Sequence, residues 1–388
     1  MDRGVYRLMR IYVLVASLSL SLGSLAQTVA LPSNTALLSK SQTSVISNAA
    51  MHGSSEWRKL ETVPYKGKQD DIFFVSDKTG WYGNGQGLLY KTIDDGVHWA
   101  VQWRKPGTFV RALGFIDEHI GFLGNVGTDY FPGVTDKTPL YRTADGGETW
   151  NPVTINGPQP KGICAIDVFR SPFINHGVLG YRTTVRAGGR VGGPAYLLRS
   201  DDEGLTWTSQ DLSAFTAMIL DVKFVSNQVG FIAGATDADV QKSHALVLRT
   251  ADGGKTWHKV YSSNRPWEIT WKVAFPTEKV GYASVQNYDE DKTNKMRFVA
   301  KTSDGGLHWK EVPVVEDHEL TEFGIGFLNP RHGWLGGANH DYETLDGGKT
   351  WSAVDFGRYV NKIRIVKSGV TTQVYAIGSS VYVRSASE

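Results

Sequence analysis

One eight-residue turn recurs six times along this chain of 388 residues, and its spacing restricts the fold more than any other feature. The copies begin at Thr92, Thr143, Ser200, Thr250, Thr302 and Thr344, and each carries an Asp two residues on and a Trp seven residues on. Repetition at a period of about 40–50 residues belongs to solenoids and propellers, in which each unit needs its neighbours to bury its apolar face. A single conventional core is excluded.

Between the turns the sequence reads as short strands. Each unit opens on an apolar run: Ile72–Val75, Val110–Phe115, Cys164–Val168, Ile219–Phe224, Trp271–Phe275, Phe323–Phe327 and Ile363–Val366. A second run follows a Gly in most units, as in Gly80-Trp-Tyr-Gly83 and Gly230-Phe-Ile-Ala-Gly234, a third leads into the Asp turn, and a fourth starts at its Trp. β-Branched and aromatic runs bounded by turn residues are strand signals. Four strands per unit is the blade of a β-propeller. Seven first strands stand against six Asp turns, and the seventh unit reaches Tyr382–Ser385 without a fourth strand. The stretch around Trp57, residues 55–62, has the Trp-led pattern that follows each turn. The expectation is an all-β, seven-bladed β-propeller whose last blade is completed by pairing of residues 55–62 with residues 380–385, which removes two exposed edges.

Each turn has a physical role of its own. Its Asp and Ser or Thr side chains satisfy backbone amides that a tight loop cannot pair. Its final Gly takes a backbone angle denied to most residues, and its Trp buries a large ring against a neighbouring unit. Asp94, Asp145, Asp202, Asp252, Asp304 and Asp346 are therefore read as structural rather than catalytic.

The rest of the chain limits location and partners. Arg3, Arg7 and Arg10, the apolar run from Ile11 to Leu22 and Ser24-Leu25-Ala26 form a secretory signal pattern, so export to the periplasm or the extracellular space with cleavage near Ala26 is expected. Residues 27–52 read as a flexible leader and 53–388 as one propeller domain. Three of the 41 basic and one of the 39 acidic residues fall within 1–26, leaving 38 of each. A balanced chain does not suit a nucleic-acid binder, whose affinity comes from neutralising phosphates. At most a peripheral contact with a membrane is expected, and the chain is read as a monomer. Cys164 is the only cysteine, so no internal disulfide forms, and its apolar neighbours make it a packed thiol.

These turns resemble the Asp-box, or bacterial neuraminidase repeat, with its pattern Ser/Thr-x-Asp-x-Gly-x-Thr-Trp. His98 and His308 stand where that pattern has Thr, which puts a side-chain bond at those two turns in question. Within this group, segments such as Val229–Gly234 followed by Leu248–Trp257 resemble the photosystem II stability and assembly factor propellers. That resemblance, over residues 55–388, implies an exported, non-catalytic scaffold that binds a protein partner or assembles a complex.

Other chemistry was sought on the end away from the Asp turns, where the loops between second and third strands and between units lie. Residues 183–195 are Gly-rich and, with Arg182, carry Arg186 and Arg190, a cluster suited to a carboxylate or an acidic surface. Tyr130 lies in the loop 125–138, and Arg104, Arg111, Trp267, Arg358 and Tyr359 lie in or beside the links between units. Arg with Trp and Tyr is the composition of interface hot spots. The alternative is a glycan-binding or sialidase-like hydrolase of the Asp-box group. Yet Tyr65–Ile72 lacks the Arg-Ile-Pro segment that sialidases of the group carry, Phe169-Arg-Ser-Pro172 matches it poorly, and seven units disagree with six. Asp237, Asp239, Asp289 and Asp291 offer oxygen ligands without a calcium-loop spacing, and no His pattern suits zinc. No metal or cofactor is expected.

Overall fold

The computed structural model describes residues 56–386 apart from 64, 177, 292, 294, 369 and 370. The expected signal and leader, residues 1–52, lie outside the described residues. Among the described residues there is no helix, and strands assemble into seven antiparallel sheets in chain order.

The first strands are Asp71–Phe74, Val110–Phe115, Ala165–Asn175, Met218–Phe224, Glu268–Ala274, Glu322–Phe327 and Lys362–Ser368. Each contacts the first strand of the next sheet, and the seventh contacts the first, so the inner strands form a circuit. Within each sheet the remaining strands follow outward in sequence order. The third sheet departs from four strands because Ile155–Asn156 adds in parallel to Trp207–Asp211. The seventh sheet is completed from the other end of the chain. Arg58 pairs with Val383 and Lys59 with Tyr382, and the Leu60 amide donates to the Val381 carbonyl at 2.9 Å.

Two recurrent devices join the sheets. A Phe ends the first strand and lies over the Gly that opens the second. A Cβ on Gly80 would sit 2.5 Å from the Phe74 ring, and Gly121, Gly230, Gly281 and Gly333 are under Phe115, Phe224, Phe275 and Phe327 at 2.3–2.5 Å. The same Phe is then stacked by a ring from the preceding sheet: Trp81 on Phe115 at 3.7 Å, Phe231 on Phe275 at 4.2 Å, Tyr282 on Phe327 at 3.6 Å. Tyr375 of the seventh sheet stacks on Phe74 of the first at 4.0 Å, so this contact too crosses the junction between the last and first sheets. Such pairs add about 0.5–1.5 kcal/mol each beyond the area they bury.

The Asp turns are self-contained. In the second turn the Thr143 hydroxyl donates to Asp145 Oδ1 at 2.7 Å and accepts the Gly147 amide at 2.9 Å, while Asp145 accepts the Thr149 amide and hydroxyl. His98 and His308 do not break the pattern. Their Nδ1 atoms lie 2.7 Å from Asp94 Oδ2 and Asp304 Oδ2, where the Thr hydroxyl sits elsewhere, because an imidazole nitrogen reaches the same oxygen. The Trp indole donates to the carbonyl of the turn's last Gly in five turns. Trp351 does not, and its Nε1 is buried without a hydrogen-bond partner.

One segment departs from the sequence expectation. The third sheet's first strand continues past Val168 to Asn175, and Val178–Gly189 is a strand paired with it throughout. The Gly-rich stretch expected to be a loop from residue 183 is thus mostly strand, and only residues 190–195 connect to the next one. Cross-strand pairing overrides the weak strand propensity of Gly188 and Gly189.

Candidate functional site

At the end of the circuit away from the Asp turns, the links entering the inner strands bring five distant segments together. Lys68 Nζ lies 2.9 Å from Asp70 Oδ1 and 3.1 Å from Asn361 Oδ1. Arg111 Nη1 lies 3.1 Å from the same Asp70 oxygen. Trp271 underlies both cations, with Lys68 Nζ 5.1 Å and the Arg111 guanidinium 5.0 Å from its ring, and Phe323 faces Lys68 at 4.8 Å. The Trp271 indole donates to Asn361 Oδ1 at 2.8 Å, and Asn361 Nδ2 donates to the Asp70 carbonyl at 2.8 Å. Two cations share one carboxylate. Burial pushes the Lys68 ammonium down to about 8, with Asp70 opposing and Arg111 reinforcing the fall.

A further set of charges lines the inside of the circuit. Lys272 and Lys362 flank Asp221 at 3.8 and 3.4 Å, and Arg364 reaches Asp71 at 3.0 Å. Burial lowers Lys272 to about 7, although Asp221 works against it. Burial acts to raise Asp221, but Lys362 and Lys272 outweigh it and hold the carboxyl below its ordinary range. A cavity of about 370 Å³ opens here, with Lys223, Lys272, Lys362, Arg364 and Lys367 against Asp167 and Asp221. These carboxylates also bind across sheets: Asp71 accepts the Leu113 amide, Asp167 that of Phe224 and Asp221 that of Val273.

The residues singled out from sequence separate into distinct places. Arg111 belongs to the group around Asp70, where the Lys68, Asp70 and Arg111 side chains are 8, 2 and 4 % exposed. Tyr130 and Tyr359 pack on the apolar cluster that contains Trp271 and Phe323, and Arg190 bonds Asp129 at 2.6 Å beside Tyr130. Asp129, Tyr130 and Arg190 line a second cavity of about 400 Å³. The other four arginines of the sequence expectation do not join them. Arg186 is 2 % exposed, with its guanidinium 3.3 Å from the Phe224 ring, so it fills the stacking position that Trp81 and Phe231 occupy in other sheets. Its pKa falls to about 10 because it is desolvated there. Arg182 extends on a hairpin over Phe173. Arg104 ends an outer strand opposite Leu88, and Arg358 lines a separate cavity with His340 and Asp341. Trp267 is half-buried, and its carbonyl accepts the Tyr288 amide.

Sequence reading missed Lys68, Asp70, Trp271, Phe323 and Asn361 as a group. The available signal was polar residues placed at the entry to otherwise apolar first strands. Among the described residues, no three His, Cys, Asp or Glu side chains are grouped to hold a metal ion.

Neither a family model nor a curated protein sequence matches the chain. Solved structures do. YCF48 bound to D1 peptide superposes with a TM-score of 0.59 at 15 % identity, covering 86 % of this chain and 95 % of that one. The WD40 beta propeller domain of Doa1 superposes at 0.55 and 13 % identity, covering 86 % and 98 %. The fold is a β-propeller. A GH74 xyloglucanase from Xanthomonas campestris also superposes, at 0.56 and 14 % identity, and there the propeller chain covers 84 % of itself but only 53 % of the enzyme.

Proposed function

We propose that this chain is an exported, non-catalytic, seven-bladed propeller of the Asp-box type that binds an acidic segment of a protein partner at the mouth formed by Lys68, Asp70, Arg111, Trp271 and Asn361. The observation that carries the reading is the sharing of Asp70 by two cations over one indole. Cations held beside aromatic faces suit a carboxylate flanked by apolar side chains. Likeness to a structure of YCF48 bound to D1 peptide supports a peptide as the ligand class, and the signal pattern of residues 1–26 supports export. The seven sheets, the circuit of inner strands and the strand at Arg58–Lys59 support seven closed blades.

Fluorescence anisotropy with labelled acidic and basic peptides tests this reading. Acidic peptides are expected to bind, and Lys68→Gln to weaken them at least about tenfold, the effect of one charge-assisted hydrogen bond lost, measured at a temperature where circular dichroism shows both proteins folded. Equal binding of both peptide classes, or none, would sink it.

A second reading, glycan cleavage, draws on the GH74 likeness and on Asp341, whose carboxyl burial lifts to about 7 beside a cavity of about 640 Å³. Both Asp341 oxygens accept backbone amides, from Gly337 and Phe356, which is the role of a loop clamp. Release of reducing sugar from xyloglucan, abolished by Asp341→Asn, would instate it in place of the scaffold.

A further inference from the structure

Among the described residues, the third sheet carries a two-stranded extension that none of the other sheets has. Pairing of Ala165–Asn175 with Val178–Gly189 runs to Asn175 opposite Val178, while the third strand covers only Val185–Gly189. Ser171, Thr183 and Thr184 are still buried, so the pairs from Pro172–Tyr181 outward stand clear of the sheet, reaching about 13 Å at about 3.3 Å per residue. In an antiparallel sheet the first hairpin and the third share one end, so the extension projects from the end that carries the Asp turns.

Its composition is unlike a solvated hairpin. Ile174, Val178, Leu179, Tyr181 and Phe173 are 76, 69, 60, 55 and 42 % exposed, five of the twelve exposed large hydrophobic side chains among the described residues, within nine positions. Contiguous exposed apolar surface marks a site of interaction. Register puts Ile174, Leu179 and Tyr181 on one face and Phe173 and Val178 on the other. Behind each apolar tip sits one Arg, with Arg170 over the Tyr181 ring at 4.9 Å and Arg182 over Phe173 at 5.9 Å. Residues 168–183 contain no Asp or Glu.

We infer that this hairpin is a membrane anchor that inserts its tip into the headgroup boundary of an anionic lipid surface. A protein docked on one face would leave the other face wet, whereas lipid accepts both at once. The two arginines stand about 15–20 Å behind the tip, where long basic side chains keep their stems in apolar surroundings and their charge at the phosphates. An acid-free tip with two cations has the charge that an anionic leaflet attracts, each contributing about fivefold in affinity. The hairpin is a surface anchor rather than a span, since it is one pair of strands with open edges.

A fluorophore on the hairpin reports insertion directly. Leu179→Cys in the full chain takes a polarity-sensitive label, because Cys164 is 1 % exposed and does not react. Vesicles of equal parts phosphatidylglycerol and phosphatidylcholine are expected to shift its emission to the blue, with quenching by nitroxide-labelled acyl chains, and pure phosphatidylcholine vesicles to act more weakly. Arg170→Glu with Arg182→Glu should weaken the response by at least about tenfold, and Ile174→Asp should abolish it at unchanged melting temperature. A label that stays in water with anionic vesicles overturns the anchor. So does a blue shift that rises with protein concentration in the absence of lipid, which would make the hairpin a contact between proteins.

Discussion

The Trp57 indole stacks on Phe356 at 4.5 Å and meets Trp334 edge-on at 5.8 Å. Residues 57 and 356 are far apart in the chain, so the strand at Arg58–Lys59 is held by the junction between the sixth and seventh sheets. The ring does for the seventh sheet what the turn tryptophans do for the others. Because the strand at Arg58–Lys59 has only two paired residues, its hydrogen bonds alone are too few to hold it against chain entropy. Trp57→Ala is expected to lower stability by about 2–3 kcal/mol, below the usual cost of a fully buried ring since this one is half-buried. Urea unfolding followed by fluorescence measures it. An unchanged midpoint would mean that the ring does not hold the junction.

The His-for-Thr exchange in two Asp turns should be nearly silent. His98 Nδ1 and the Thr149 hydroxyl make the same contact with their Asp, at 2.7 and 2.5 Å. His98→Thr is expected to leave stability within about 0.5 kcal/mol, and His98→Ala to lower it by about 1 kcal/mol, the net worth of one exposed hydrogen bond. Thermal melts of the two variants side by side decide the point, since loss of stability on both would show that the imidazole does something the hydroxyl cannot.

Acid should weaken these turns once the pH falls below about 4. Hydrogen bonds from the Thr149 hydroxyl and amide, outweighing the burial that opposes them, hold Asp145 at about 2, and the equivalent bonds hold Asp202 and Asp346 at about 2. An unfolded Asp titrates near 3.9. Each turn's contribution is therefore complete above about pH 4 and is lost as pH falls through about 2. Asn at position 145 should flatten this slope, as read by urea midpoints from pH 5 to pH 2. A slope as steep as that of the unmodified chain would remove the Asp turn from the acid response.

On the alkaline side the buried lysines set the sign. Desolvation holds Lys68 at about 8 and Lys272 at about 7 in the native state, against about 10.4 when unfolded. Between these limits the unfolded chain binds more protons, so stability rises with pH. Beyond about pH 10 the trend reverses, because burial keeps Tyr65 at about 12 while the unfolded phenol ionises near 10. Lys272→Met should remove much of the rise between pH 7.5 and 9.5, and an identical rise in that variant would assign it to other groups.

The repeat grammar was legible because each unit states it locally: a Phe at the end of the first strand, a Gly under it, and an Asp turn closed within eight residues. Trp57 could be matched to that grammar for the same reason. The mouth was not legible, since Lys68 and Asn361 meet across 293 positions and no spacing in the chain records that closure. Arg186 was misread for a different cause. Its neighbours Gly188 and Gly189 have the composition of a loop, and only pairing with Ile166 and Asp167 shows that the segment is a strand whose Arg faces the next sheet.

That reassignment yields the last prediction. Arg186 is fully buried, stacks on Phe224 and donates to the Gly253 carbonyl at 3.5 Å, while Arg199 Nη1 donates to the same carbonyl at 3.0 Å. The position takes a ring in the first, fourth, fifth and seventh sheets. An aromatic there keeps the stack and removes a desolvated charge, and Arg199 still satisfies the carbonyl. Arg186→Phe is therefore expected to match or exceed the parent in stability, as apolar replacements of buried charges often do, whereas Arg186→Ala should cost about 3 kcal/mol through the lost contact and cavity. If Arg186 were instead a binding residue, both variants would melt like the parent and lose a ligand. Differential scanning calorimetry of the pair, with the acidic-peptide titration run on each, separates the two roles.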